Sequence, residues 1–158
     1  MNPPEPRFWQ PDVTVATVVA RDGYLLMVEE QVDGRAVLNQ PAGHLEPDES
    51  LLEAALRETR EETGWAVRLT GFLGAYQWRS EAANGQGRRH FIRFAFAAEP
   101  EAHDPDLPLD VGILRAVWMT PQQIQDAHEQ HRSPLVWQTV MDHLAGRHQP
   151  LSLLRQVT

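Results

Sequence analysis

A chain of 158 residues, 42% of them hydrophobic, carries enough apolar side chain for one buried core and is expected to form a single domain over residues 1-158. It has no cysteine, which excludes a disulfide framework, a thiolate nucleophile and a Cys-based zinc site. Its 14 basic residues are all arginine, which excludes a Walker-type phosphate loop and a Schiff-base enzyme, and a net charge of −8 argues against binding a nucleic-acid polymer.

In chain order, Val13 to Ala20 and Tyr24 to Glu29 alternate around an Asp22-Gly23 turn and predict a β-hairpin. Val37 to Asn39 is a short strand leading into Gln40-Pro41-Ala42-Gly43. Ser50 and Glu53 have capping-box spacing, so a helix starts there, and Gly64 is the expected left-handed stop. Leu52, Leu56, Thr59 and Thr63 recur as a core-facing stripe, with Ala54 and Ala55 beside the acidic face. Ala66 to Thr70 and Phe72 to Trp78 read as two strands broken by Gly71, followed by a polar loop over residues 79–88. His90 to Ala98 is a strand, residues 99–112 are irregular, and Leu114 to Met119 is a last strand. Thr120-Pro121-Gln122-Gln123 caps a helix to about His128. Ser133-Pro134 starts another, with Leu135, Val136, Thr139, Val140 and Leu144 inward and Gly146 as its stop. The start of the chain lacks a signal-peptide pattern and no apolar run reaches membrane-spanning length, so a soluble, cytoplasmic protein is expected.

The chemistry concentrates between Gly43 and Trp65. Glu58, Glu61 and Glu62 stand at i, i+3 and i+4 on the predicted helix, which places three carboxylates within about 100° of arc. Like charges at this spacing repel, and anions in a last helical turn oppose the helix dipole. No cation sits four residues further on to relieve them, so a hard divalent ion with oxygen ligands is the economical partner. A solvated helix face is the plain alternative for any one glutamate.

The spacing Gly43, Glu49, Arg57-Glu58, Glu61-Glu62, Gly64 resembles the signature of the Nudix hydrolase family, GX5EX7REUXEEXGU, where U is a bulky apolar residue. Thr59 at the first U and the aromatic Trp65 are the departures. Asn39 to Glu46, Gln77-Trp78, Arg93-Phe94 and Arg132 to Val136 are similar to the NudJ-type phosphatases of that family, a likeness running from about Val13 to Leu144. The resemblance implies an α/β fold, the Nudix-type α/β/α sandwich with a mixed sheet. It also implies Mg²⁺-dependent hydrolysis, with Mn²⁺ as a possible substitute, of phosphoanhydride bonds. Expected substrates are nucleoside di- or triphosphates, or small pyrophosphates such as hydroxymethylpyrimidine diphosphate. An ADP-ribose-type pyrophosphatase and a non-catalytic nucleotide-sensing module are the alternatives. No nucleic-acid polymer or membrane partner is expected, and a monomer is favoured.

Site expectations follow from the residues and that likeness together. Glu61 and Glu62 are assigned as principal metal ligands and Glu58 as ligand or general base, with the loop backbone at Ala42 adding a carbonyl. Arg57, about 100° from Glu58 around the helix, is placed to brace the loop through Glu49. A further acidic ligand is sought among Asp104, Asp106 and Asp110, with Asp110 the first choice and a solvated loop acid the alternative. Arg93 is chosen to bind phosphate, since a guanidinium suits phosphate oxygens. Trp78 is chosen to stack a ring, and Gln40, His44 and Arg79 as further substrate contacts.

Overall fold

A computed structural model describes residues 8–81 and 88–158. Residues 82–87 of the predicted polar loop lie outside that description. The elements are strands β1 (Asp12–Arg21), β2 (Tyr24–Val32), β3 (Arg35–Asn39), β4 (Ala42–His44), β5 (Trp65–Arg79), β6 (His90–His103) and β7 (Ile113–Met119), with helices α1 (Leu51–Thr63), α2 (Pro121–Asp126) and α3 (Leu135–Leu144).

The strand order is β3-β2-β1-β6-β5, with β4 paired to β1 and β7 paired to β2. β1 and β6 run parallel from Asp12↔Phe91 to Val19↔Ala98, while the other pairings are antiparallel, so the sheet is mixed. The predicted hairpin forms, with Asp22 and Gly23 both at positive φ (52° and 82°), as its two-residue turn requires. It stays paired only at Ala20↔Leu25 and Arg21↔Tyr24. Beyond those pairs β1 takes β4 and β2 takes β7 as partners, which splits the sheet beside the loop that leads into α1.

Two apolar layers clamp the sheet. Ala54 and Ala55 of α1 pack with Val15, Phe72 and Phe96 on one face. Ile124 of α2 and Val136 and Val140 of α3 pack with Val18, Leu38, Leu73 and Ala97 on the other. This is the expected α/β/α sandwich.

Several local expectations change. The buried side of α1 runs through Ala54, Ala55, Thr59, Glu62 and Thr63, and Leu56 is 39% exposed. Small residues face the sheet because the helix lies close on it. Thr59 is fully buried, and its hydroxyl donates to the Ala55 carbonyl at 2.7 Å and shares a 2.7 Å hydrogen bond with Thr17. The hydroxyl at the apolar signature position is thus satisfied across the core. The two strands expected around Gly71 are one continuous β5, whose register shifts at Ala66/Val67, Leu69/Gly71 and Phe72/Gly74 absorb the interruption as bulges. β6 continues to His103, α2 stops at Asp126 ahead of a 3₁₀ turn, and Leu144 is exposed. The tail docks on β5 through reciprocal 2.8 Å backbone hydrogen bonds between Phe72 and Gln149.

Candidate metal and substrate site

Helix α1 is stopped where its chemistry requires. Ser50 accepts from the Glu53 N–H at 3.1 Å, and Gly64 ends the helix at φ 75° with its N–H on the Arg60 carbonyl. A Cβ at Gly64 would also stand 2.8 Å from the Asp104 carbonyl oxygen. The following loop is stapled back onto the helix end, Asp104 N–H to Gly64 O at 2.9 Å and Asp110 N–H to Glu61 O at 3.0 Å. The second bond satisfies a helix carbonyl that has no intrahelical partner. It also carries Asp110 to the acidic face.

Ligand oxygens of Glu58, Glu62 and Asp110 lie within 4.8 Å of one another. The structure therefore brings together two of the three predicted glutamates with the loop aspartate, and leaves Glu61 outside this group. Glu61 is 41% exposed on its side chain and accepts from Arg57 Nη1 at 3.2 Å. The reason lies in helix geometry: residues four apart are about 40° apart in angle, so Arg57 faces Glu61 from the preceding turn. The relieving cation lies four residues back, not four residues on.

Arg57 ties the loop to the helix. Its Nε and Nη2 grip Glu49 at 2.9 and 2.6 Å, Nη2 also donates to the His44 carbonyl at 3.0 Å, and Nη1 reaches Glu58 at 2.8 Å. The expected brace through Glu49 is present, with direct contacts to Glu58 and Glu61 in addition. That guanidinium holds the Glu49 carboxyl below its usual range. Glu58 is raised, because burial outweighs the help from Arg57 and Glu61 and Asp110 add repulsion. Glu62 is pushed up to about 8 by burial first, opposed by the Ala42 N–H bond and reinforced by Glu58, Glu30 and Asp110. Among the described residues no cation pairs with Glu62 or Asp110.

The loop backbone is moulded to these carboxylates. Ala42 meets the site through its N–H, which donates to Glu62 Oε1 at 2.8 Å, where a carbonyl contact was expected. A Cβ at Gly43 would fall 2.1 Å from Glu58 Cδ, so only glycine lets the strand pass that carboxylate. The donor set is all oxygen, close-set, partly desolvated and short of positive charge, which fits a hard divalent cation.

The predicted substrate contacts divide. Arg93 is 5% exposed and clamped by Gln40 Oε1 at 3.0 Å and Asn39 Oδ1 at 3.2 Å, while its Nε–H has no partner among the described residues. Burial, with Arg132 nearby, lowers its pKa to about 10. Gln40 is fully buried and also donates to the Val136 carbonyl at 2.8 Å. These two residues therefore support the Asn39–Ala42 segment from behind. Trp78 stacks on Phe91, ring centroids 5.5 Å apart, and Arg89 lies over the Phe91 ring at 4.9 Å. His44 is exposed and bonded to Asp12 at 3.0 Å, which Arg89 also grips at 2.8 Å. Arg79 is exposed at the end of β5. The partnerships of Asn39 with Arg93 and of Asp12 with His44 join residues far apart in sequence, with no local pattern to announce them.

No helix among the described residues is long and apolar enough to cross a membrane. The NUDIX domain family matches residues 9–138. Phosphatase NudJ of Escherichia coli strain K12 is 40% identical over 146 residues, covering 92% of each chain. The solved NUDIX hydrolase from Nitrosomonas europaea superposes with a TM-score of 0.88 at 42% identity, over 94% of this chain and 98% of that one. A UDP-X diphosphatase structure, at 17% identity and a TM-score of 0.70, shares the fold over 92% of this chain and 68% of its own. With the signature in register on α1 and its acidic cluster assembled, the chain belongs to the Nudix family and is a hydrolase of phosphoanhydride bonds.

Proposed function

We propose that the substrates are nucleoside di- or triphosphates, or small pyrophosphates such as hydroxymethylpyrimidine diphosphate, cleaved by water with Mg²⁺ as the physiological ion and Mn²⁺ as a substitute. The observation that carries this reading is the convergence of Glu58, Glu62 and Asp110 ligand oxygens within 4.8 Å, Glu62 being buried and, among the described residues, paired with no cation. These three residues would hold the ion. Bound there, it would screen phosphate charge and acidify the attacking water.

The chain's own groups do the positioning. The Ala42 N–H orients Glu62, and Arg57 holds Glu58 against Gly43. Arg57 also keeps Glu61 on the exposed rim, where its carboxylate is free to face substrate or water. The stacked Trp78–Phe91 pair offers an aromatic surface to the ring of a nucleobase or pyrimidine. A monomer is the favoured assembly in this reading.

Phosphate release over a panel of nucleoside di- and triphosphates, hydroxymethylpyrimidine diphosphate and ADP-ribose, with Mg²⁺ and with chelator, tests the reading. Metal-dependent release from the first two classes is the expected result. Preference for ADP-ribose would move the assignment to the nucleoside diphosphate-sugar class, and binding without any release would make the chain a sensor.

A further inference from the structure

The segment Arg132 to Val136 already supports the site through the Val136 carbonyl, which accepts from Gln40, and it also carries a cation against β3. The backbone of Arg132 is pinned to β3, its N–H donating to the Leu38 carbonyl at 2.9 Å, next to the Leu38↔His131 bridge. Its guanidinium meets Glu30 through Nη1 at 2.7 Å. Glu30 is mostly covered, with 14% of its side chain exposed, while that of Arg132 is 41% exposed. Only the inner end of the pair is buried.

Strand register shows where that inner end lies. Val28 pairs with Asn39 and Glu30 with Val37, so Glu30 and Asn39 share one face of the β2–β3 hairpin. Asn39 and Gln40 hold Arg93, and Ala42, two residues beyond Gln40, holds Glu62. The Glu30 charge helps to raise Glu62, and that of Arg132 helps to lower Arg93. Arg132 is thus anchored on the strand pair that leads into the Asn39–Ala42 segment, its guanidinium held through one nitrogen. Among the described residues its remaining guanidinium donors meet no partner.

A diphosphate held on one side by carboxylate-bound divalent ions keeps oxygens on its other side that need a cation. Arg93 is too enclosed to serve, whereas Arg132 is exposed, fixed in backbone and forked for two oxygens. We propose that Arg132 binds a phosphate group of the substrate, and that Glu30 competes for its guanidinium until the substrate arrives. This rests on the phosphoanhydride reading above and adds to it a specificity residue for the diphosphate.

Calorimetric titration with methylenediphosphonate, whose bridging carbon resists hydrolysis, tests this in the presence of Mg²⁺, beside a titration with Mg²⁺ alone. Arg132→Ala is expected to bind the diphosphonate about 10- to 100-fold more weakly, the loss of a charge-assisted contact. Its affinity for Mg²⁺ alone should be retained. Arg132→Lys should recover part of the loss, and Glu30→Gln should bind as tightly as the wild type or more tightly, because it releases the guanidinium. If Arg132→Ala binds like the wild type, or if Glu30→Gln weakens binding as much as Arg132→Ala, Arg132 is only half of a structural ion pair and the proposal is overturned. Loss of Mg²⁺ affinity in both Arg132 variants would overturn it as well. No binding to the wild type, even with Mg²⁺, would instead overturn the phosphoanhydride reading and this proposal together.

Discussion

Glu62→Gln separates what the buried acid does for the enzyme from what it does to the fold. Burial raises the Glu62 carboxyl from 4.5 to about 8. A raised acid favours folding below its unfolded pKa, and that stability is lost as pH climbs through the folded value. Above pH 8 the ionised form therefore destabilises the metal-free protein by an upper bound of about 4 to 5 kcal/mol. Glutamine keeps an oxygen for the Ala42 N–H and turns its amide hydrogens toward Glu58 and Asp110, with no charge to desolvate. For a chain of this length each kcal/mol moves the melting temperature by roughly 2 to 4 °C, so chelated Glu62→Gln should melt on the order of 10 °C above chelated wild type near pH 9. Near pH 5 the difference should almost vanish. Millimolar Mg²⁺ should raise the wild-type melting temperature at the higher pH and leave the variant's unchanged, while turnover falls. Thermal melts by circular dichroism across this pH range, with chelator and with Mg²⁺, read all of these. The electrostatic reasoning fails if chelated wild type and variant melt together at every pH.

Other expectations follow from the same geometry. Gly43→Ala must displace the Glu58 carboxylate, since the new Cβ would lie 2.1 Å from Cδ; turnover should drop about 100-fold, with a melting temperature showing only the roughly 1 to 3 kcal/mol of an overpacked contact. Asp110→Asn should weaken Mg²⁺ binding measured by calorimetry, whereas Asp106→Asn, at a residue outside the cluster, should not. Thr59→Val strands the buried Thr17 hydroxyl and should cost about 1 to 3 kcal/mol in chemical denaturation, while Thr17→Val/Thr59→Val should cost less than the sum of the single changes. Additive losses in that cycle would mean the two hydroxyls are not coupled.

What could be read without coordinates was local. Capping at Ser50, the left-handed stop at Gly64 and the Asp22-Gly23 turn are fixed by a few neighbouring residues, and each appears as the sequence predicts. The gathering of glutamates on one face of α1 likewise follows from helical period, and the reaction class was legible through the resemblance of the signature to the Nudix family.

Tertiary structure decided what depends on the fold closing. It set Asp110 beside Glu58 and Glu62, through a backbone bond from the loop to the helix end, with Glu61 at the exposed rim. It enclosed Arg93 behind Asn39 and Gln40, and set Ala54 and Ala55 against the sheet beside the expected Thr59 and Thr63, with Leu56 of the expected stripe left 39% exposed. It also paired Phe72 with Phe96 across a bulged β5–β6 register, with the Phe72 ring stacked 6.4 Å from that of Phe94. Periodicity states which side of an element a residue occupies. Which carboxylates meet, and which cation is left to face them, depends on strand register and loop closure between residues far apart in the chain.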